Sequence, residues 1–124
     1  MAAKVLVVDD ESAIVDSLEA SLKTRGYRVI TALNRKNGLE AAKRDKPDLI
    51  LLDVNMPRMS GFEVLEALKK DQKTASIPII MLTAEKTQDD ITRGIQHQAD
   101  KYLTKPFQMD RVMDEVAKSL AFRL

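Results

Sequence analysis

Five side chains stand where short apolar runs end. Asp9 and Asp10 follow the run at 5–8, Asp53 follows 49–52, Thr83 follows 77–82, and Lys105 comes just after 101–103. If the fold gathers them, three carboxylates repel one another by about 4 kcal/mol per pair at 4 Å and an effective dielectric of 20, so a cation is called for. Mg²⁺ fits: it takes oxygen ligands in octahedral geometry, retains waters, and is commonly completed by one or two carboxylates and a phosphate oxygen. The formal charges of three ionised carboxylates, Mg²⁺ and the Lys105 ammonium cancel. Converting Asp53 to an acyl phosphate of about −2 leaves about one negative charge, which the Thr83 hydroxyl and backbone N–H groups could offset by hydrogen bonds. The residue types therefore point to phosphoryl chemistry on a carboxylate.

The elements that must position these groups are legible from hydrophobic period. Runs of four to six Val, Ile and Leu suit strands buried on both faces, and each is followed by a stretch of helical spacing. Strands are expected over 4–8, 27–32, 49–52, 77–82 and 101–103. The first helix carries Ile14, Leu18 and Leu22 on one stripe, with Ser12 as its cap and Gly26 as its stop. A second covers 36–45, with Pro47 and Asp48 leading into the third strand. A third covers 62–70, with Phe62, Leu65 and Leu68 at helical spacing after a loop containing Pro57 and Gly61. The fourth, over 89–97, rests on Ile91 and Ile95 and contains Gly94, which costs about 1 kcal/mol relative to Ala, so a marginal, movable element is expected. The last buries Met109, Val112, Met113, Val116 and Leu120. Five βα units in alternation imply an α/β fold, a parallel sheet with helices on both faces, and such sheets bind ligands at the carboxyl ends of their strands.

Composition bounds the partners. The 124 residues fit one domain, and 44% hydrophobic with 31% charged residues is a globular profile. The 20 Lys and Arg are dispersed among 19 Asp and Glu, with no dense basic cluster, so direct nucleic acid binding is not expected. The absence of Cys excludes disulfides and thiol chemistry and agrees with a cytoplasmic setting. No apolar run approaches the roughly 20 residues that span a bilayer, so no membrane insertion is expected.

Four segments together resemble the receiver domain of bacterial response regulators over essentially the whole chain: Val7-Val8-Asp9-Asp10-Glu11, residues 51–61 around Asp53-Val54-Asn55-Met56-Pro57, Met81-Leu82-Thr83-Ala84-Glu85, and Tyr102-Leu103-Thr104-Lys105-Pro106-Phe107. That resemblance implies a doubly wound, flavodoxin-like sheet of five parallel strands in the order 2-1-3-4-5 with five helices, which makes strands 1, 3, 4 and 5 neighbours. It implies Asp53 as the nucleophile, Mg²⁺ held by Asp10, Asp53 and the backbone carbonyl of Asn55, and Asp9 acting mainly through water. By the same resemblance Lys105 is expected to pair with the phosphoryl oxygens, and its bond to Pro106 to be cis. The resemblance further implies that Thr83 and Tyr102 form a switch that repacks the face of the fourth helix, fifth strand and last helix, and that Asn55 and Glu85 adjust the lifetime of the acyl phosphate. The donor it implies is a histidine kinase or histidine phosphotransfer protein, the recipient of the signal a downstream protein target, and the expected state a monomer or weak dimer. No output domain is visible, so residues 1–124 read as a single receiver, either acting alone or cut from a longer protein. Before the fifth strand, receivers commonly carry Gly-Ala-Asp-Asp. This chain has Gln98-Ala99-Asp100-Lys101, which removes a turn glycine and changes the charge of the output surface.

Taken singly, several of these residues have ordinary structural readings. An Asp after a strand is often a helix cap or turn former, Thr83 a turn hydroxyl, Lys105 a solvated lysine and Tyr102 a partly buried packing residue. Their coincidence is what favours chemistry. His97 stands alone and has no ligand role, and the six Met are mostly core filler, Met56 and Met59 in a loop excepted. A haloacid-dehalogenase type of phosphatase also uses a strand-end Asp with Mg²⁺, but its second Asp is replaced by Asn55 and a chain of this length lacks a cap for an organic substrate. A phosphate-independent interaction module is disfavoured because every catalytic position is filled.

Overall fold

The structure, a computed structural model, describes residues 2–53, 61–83, 101–104 and 106–121. Five strands, β1 (Lys4–Val8), β2 (Arg28–Ala32), β3 (Leu49–Asp53), β4 (Ile79–Thr83) and β5 (Lys101–Thr104), form one all-parallel sheet in the order β2-β1-β3-β4-β5. The described helices are α1 (Ser12–Thr24), α2 (Arg35–Asp45), α3 (Gly61–Lys70) and α4 (Met109–Ala121). The helix expected over 89–97 and the turn at 98–100 lie outside the described residues.

Strand alternation divides the core into two layers. Leu6 and Val8, Ile50 and Leu52, and Ile79 and Met81 face α2 and α3, where Ala41, Ala42, Val64, Leu65 and Leu68 meet them. Their alternates, Val5 and Val7, Leu49 and Leu51, and Ile80 and Leu82, face α1 and α4 through Val15, Leu18, Leu22, Val112, Met113 and Val116. Central β3 is buried at every position, which is why its sequence is apolar without alternation until Asp53. Each fully buried Val, Leu or Ile contributes about 1.5–3 kcal/mol of transfer free energy.

Element boundaries shift from the expected ones for local reasons. Gly26, at φ +90°, ends α1 with the N–H of Gly26 on the Lys23 carbonyl and the N–H of Tyr27 on the Leu22 carbonyl, so Tyr27 belongs to the helix stop and β2 begins at Arg28. At the other end of α1 the cap position is Glu11, and Ser12 is the first helical residue rather than the cap. Asn34 caps α2 by accepting the Asn37 N–H at 2.8 Å, which starts that helix at Arg35. Pro78 has no N–H to offer a ladder and Ile77 closes a turn onto Thr74, so β4 starts at Ile79 and runs through Thr83.

Gly38 lets α2 approach β1. A Cβ built there would lie 2.9 Å from Cγ1 of Val8 and 3.0 Å from Cγ2. Val8 is β-branched, stiff and 1% exposed, so it has little room to yield. Replacing Gly38 with Val is therefore expected to lower stability by about 2–3 kcal/mol despite removing a helical glycine, as read by urea denaturation.

Candidate metal centre

β1 and β3 are adjacent, with Val8 paired to Leu52. The next residues, Asp9 and Asp53, thus emerge side by side at the carboxyl edge, on the face that α1 and α4 cover by the period of two. Asp10 follows as the chain leaves the sheet. Single ligand oxygens of Asp9, Asp10 and Asp53 all lie within 4.8 Å of one another. Asp9 is 0% and Asp53 1% exposed, while Asp10 reaches solvent. Asp9 is held by backbone groups of two other residues: its N–H donates to the Ala32 carbonyl at 3.1 Å, and its Oδ1 accepts the Glu11 N–H at 2.9 Å.

Charges at 4.8 Å still repel by about 3.5 kcal/mol per pair at an effective dielectric of 20. The donor set is all oxygen, without His or Cys, and suits a hard cation. An octahedral ion with oxygens at about 2.1 Å sets its ligands roughly 3–4.2 Å apart, so a cluster confined to 4.8 Å needs only a small closure of side chains. These residues therefore fit a divalent metal ion of the Mg²⁺ class.

The neighbouring strands bring further predicted residues to the same edge. Asp53 pairs with Leu82, which puts Thr83 one residue beyond it at the end of β4, and Thr83 in turn pairs with Thr104 of β5. Asp53 and Thr83 are the last residues of their strands rather than the first after them. Tyr102, paired with Met81, is partly buried against the α2 and α3 layer. Lys105, Asn55, Glu85, His97 and Gln98 lie outside the described residues.

Glu115 on α4 escaped the sequence reading. It is only 6% exposed, and its carboxylate is 3.8 Å from Lys101 Nζ, 3.6 Å from Arg111 Nε and 3.9 Å from Lys118 Nζ. Lys101 therefore does more than alter surface charge, because it faces a buried acid across the β5–α4 contact. The i, i+4 and i, i+3 spacing of Arg111, Glu115 and Lys118 was the available signal. The partner on β5 required the fold.

Residues 5–117 match the family described as the response regulator receiver domain. The chain belongs to that family. Curated relatives include the alkaline phosphatase synthesis transcriptional regulatory protein PhoP of Bacillus subtilis, 46% identical over 84% of this chain and 42% of its own. The response regulator PleD of Caulobacter vibrioides is 42% identical over 100% of this chain and 27% of its own. The receiver thus spans less than half the length of these relatives. Among solved structures, the chemotaxis protein CheY4 of Vibrio cholerae superposes with a TM-score of 0.91 at 34% identity, covering 96% of this chain and 99% of that one. Receivers of this family are phosphoryl-accepting signalling switches of two-component systems that interact with histidine kinases and downstream effectors. Some relatives are named as DNA-binding, such as RpaA of Synechocystis, and that property is theirs. Among the described residues of the receiver, no helix is long and apolar enough to cross a membrane.

If a cation relieves this carboxylate repulsion, Mg²⁺ at about a hundred times its dissociation constant stabilises the receiver by about 2.7 kcal/mol. Asp10→Asn is expected to remove most of that gain and, without Mg²⁺, to match or exceed the parent by roughly 1 kcal/mol. Urea denaturation with and without the ion reads both effects.

Proposed function

We propose that this receiver accepts a phosphoryl group on Asp53 from a histidine kinase or histidine phosphotransfer protein and passes the signal to a protein target. The observation that carries this reading is the cluster of Asp9, Asp10 and Asp53 at the carboxyl edge of the sheet, with two of the three carboxylates buried. Asp10, Asp53 and the backbone carbonyl of Asn55 would hold Mg²⁺, with Asp9 acting mainly through water. The bound ion would supply positive charge to the phosphoryl oxygens.

A carboxylate oxygen of Asp53 forms the new bond to phosphorus as the bond from phosphorus to the donor imidazole nitrogen breaks. The electron pair stays on that nitrogen, which takes up a proton. Lys105 pairs with the phosphoryl oxygens and the Thr83 hydroxyl donates to another. As Thr83 moves toward the phosphoryl group, Tyr102 turns further inward, and the face formed by residues 89–97, β5 and α4 repacks. The partly buried position of Tyr102 supports this, since the ring already packs against the core and still has exposed surface to bury. Water attack on phosphorus later regenerates the carboxylate and releases phosphate, at a rate that Asn55 and Glu85 adjust. On this reading residues 1–124 work in the cytoplasm as a monomer or weak dimer, and this receiver unit itself makes no direct contact to nucleic acid and turns over no other substrate.

Incubation with acetyl phosphate and Mg²⁺ followed by peptide mass spectrometry tests the reading. One phosphoryl group on Asp53 is expected, lost with chelator or in Asp53→Asn, and Lys105→Ala is expected to slow labelling about a hundredfold. Labelling at another residue, or none, would overturn it.

A further inference from the structure

Among the described residues, Leu33 is the one large apolar side chain left open, at 48% exposure, and it belongs to neither core layer. A lone exposed leucine is ordinary on a protein surface, so its position has to carry the argument. Leu33 directly precedes Asn34, the cap of α2. An apolar residue there often staples onto the side chain four positions past the cap. That position is Gly38, which has no side chain to offer and is kept small by its contact with Val8. The ordinary structural use of Leu33 is therefore missing. Held between β2 and a capped helix, its backbone is already fixed, which lowers the ordering cost of meeting a partner.

Its place says which partner. Ala32, the residue before it, accepts the Asp9 N–H, so Leu33 stands on the rim of the carboxylate cluster. β2 and β3 flank β1, which puts Leu33 two strand spacings, roughly 10 Å, from Asp53. Asp53 is 1% exposed, so a protein delivering a phosphoryl group must seat itself over this edge. A specific protein contact covers about 800 Å² on each side, a patch of about 16 Å radius. Centred on Asp53, it includes Leu33.

We propose that Leu33 is an apolar docking anchor for the phosphohistidine-bearing donor protein, a positioning residue that acts on transfer from a protein but not on the chemistry at Asp53. This rests on the phosphoryl-acceptor reading. The test compares the parent with Leu33→Ala and Leu33→Met, using two donors: acetyl phosphate, and the phosphorylated histidine phosphotransfer domain that is fastest to the parent in a panel of such domains. Leu33→Ala is expected to lower the second-order transfer constant from the domain about tenfold, and Leu33→Met to retain most of it. Both variants are expected to react with acetyl phosphate at the parental rate. Equal rates from the domain for parent and Leu33→Ala would sink the proposal, as would a panel that cannot label a parent that acetyl phosphate labels, or an equal loss with both donors. Failure of acetyl phosphate to label Asp53 in the parent counts instead against the acceptor reading.

Discussion

Negative charge concentrated at one edge of an apolar sheet is the constraint around which this molecule is organised. Asp9 and Asp53 are enclosed almost completely, and Asp10 closes the group from the solvent side. Such an arrangement is unfavourable by itself, since each ionised pair costs several kcal/mol. It persists because neighbouring parallel strands leave the core side by side, and because the backbone pins Asp9 from two directions. A site under this electrostatic load responds strongly to any cation or to a change in the charge of one member, which is the property a switch needs.

The scaffold earns its rigidity from two apolar layers divided strictly by strand alternation, with β3 buried on both sides. Helix α2 comes so close to β1 that only a glycine fits at position 38, one turn from the cap that begins the helix. That close approach has a second effect at the surface, since it leaves Leu33 without a staple partner. Packing beneath the sheet edge thus shapes the surface at its rim through one contact, between Gly38 and Val8.

At the opposite edge, β5 joins α4 partly through a buried acid. Glu115 sits among Lys101, Arg111 and Lys118, so a lysine that reads only as a surface charge along the chain is also a partner of a buried acid. Exposed ion pairs contribute little, but the acid here is nearly enclosed, and removing its cations would leave a charge with poor access to water.

What the sequence determined by itself was local or periodic. The alternation of apolar runs with helical spacing established a parallel α/β sheet, and strand ends followed by Asp9, Asp10, Asp53 and Thr83 marked the reactive edge, because a two-residue or 3.6-residue period is written in neighbouring positions. The strand order came from motif resemblance, since periodicity carries no information on which strands are neighbours. Tertiary structure alone decided the meeting of the three carboxylates within 4.8 Å, the Gly38–Val8 contact, the exposure of Leu33 and the burial of Glu115. Each depends on residues far apart in the chain, and distance across a fold is set by packing rather than by spacing.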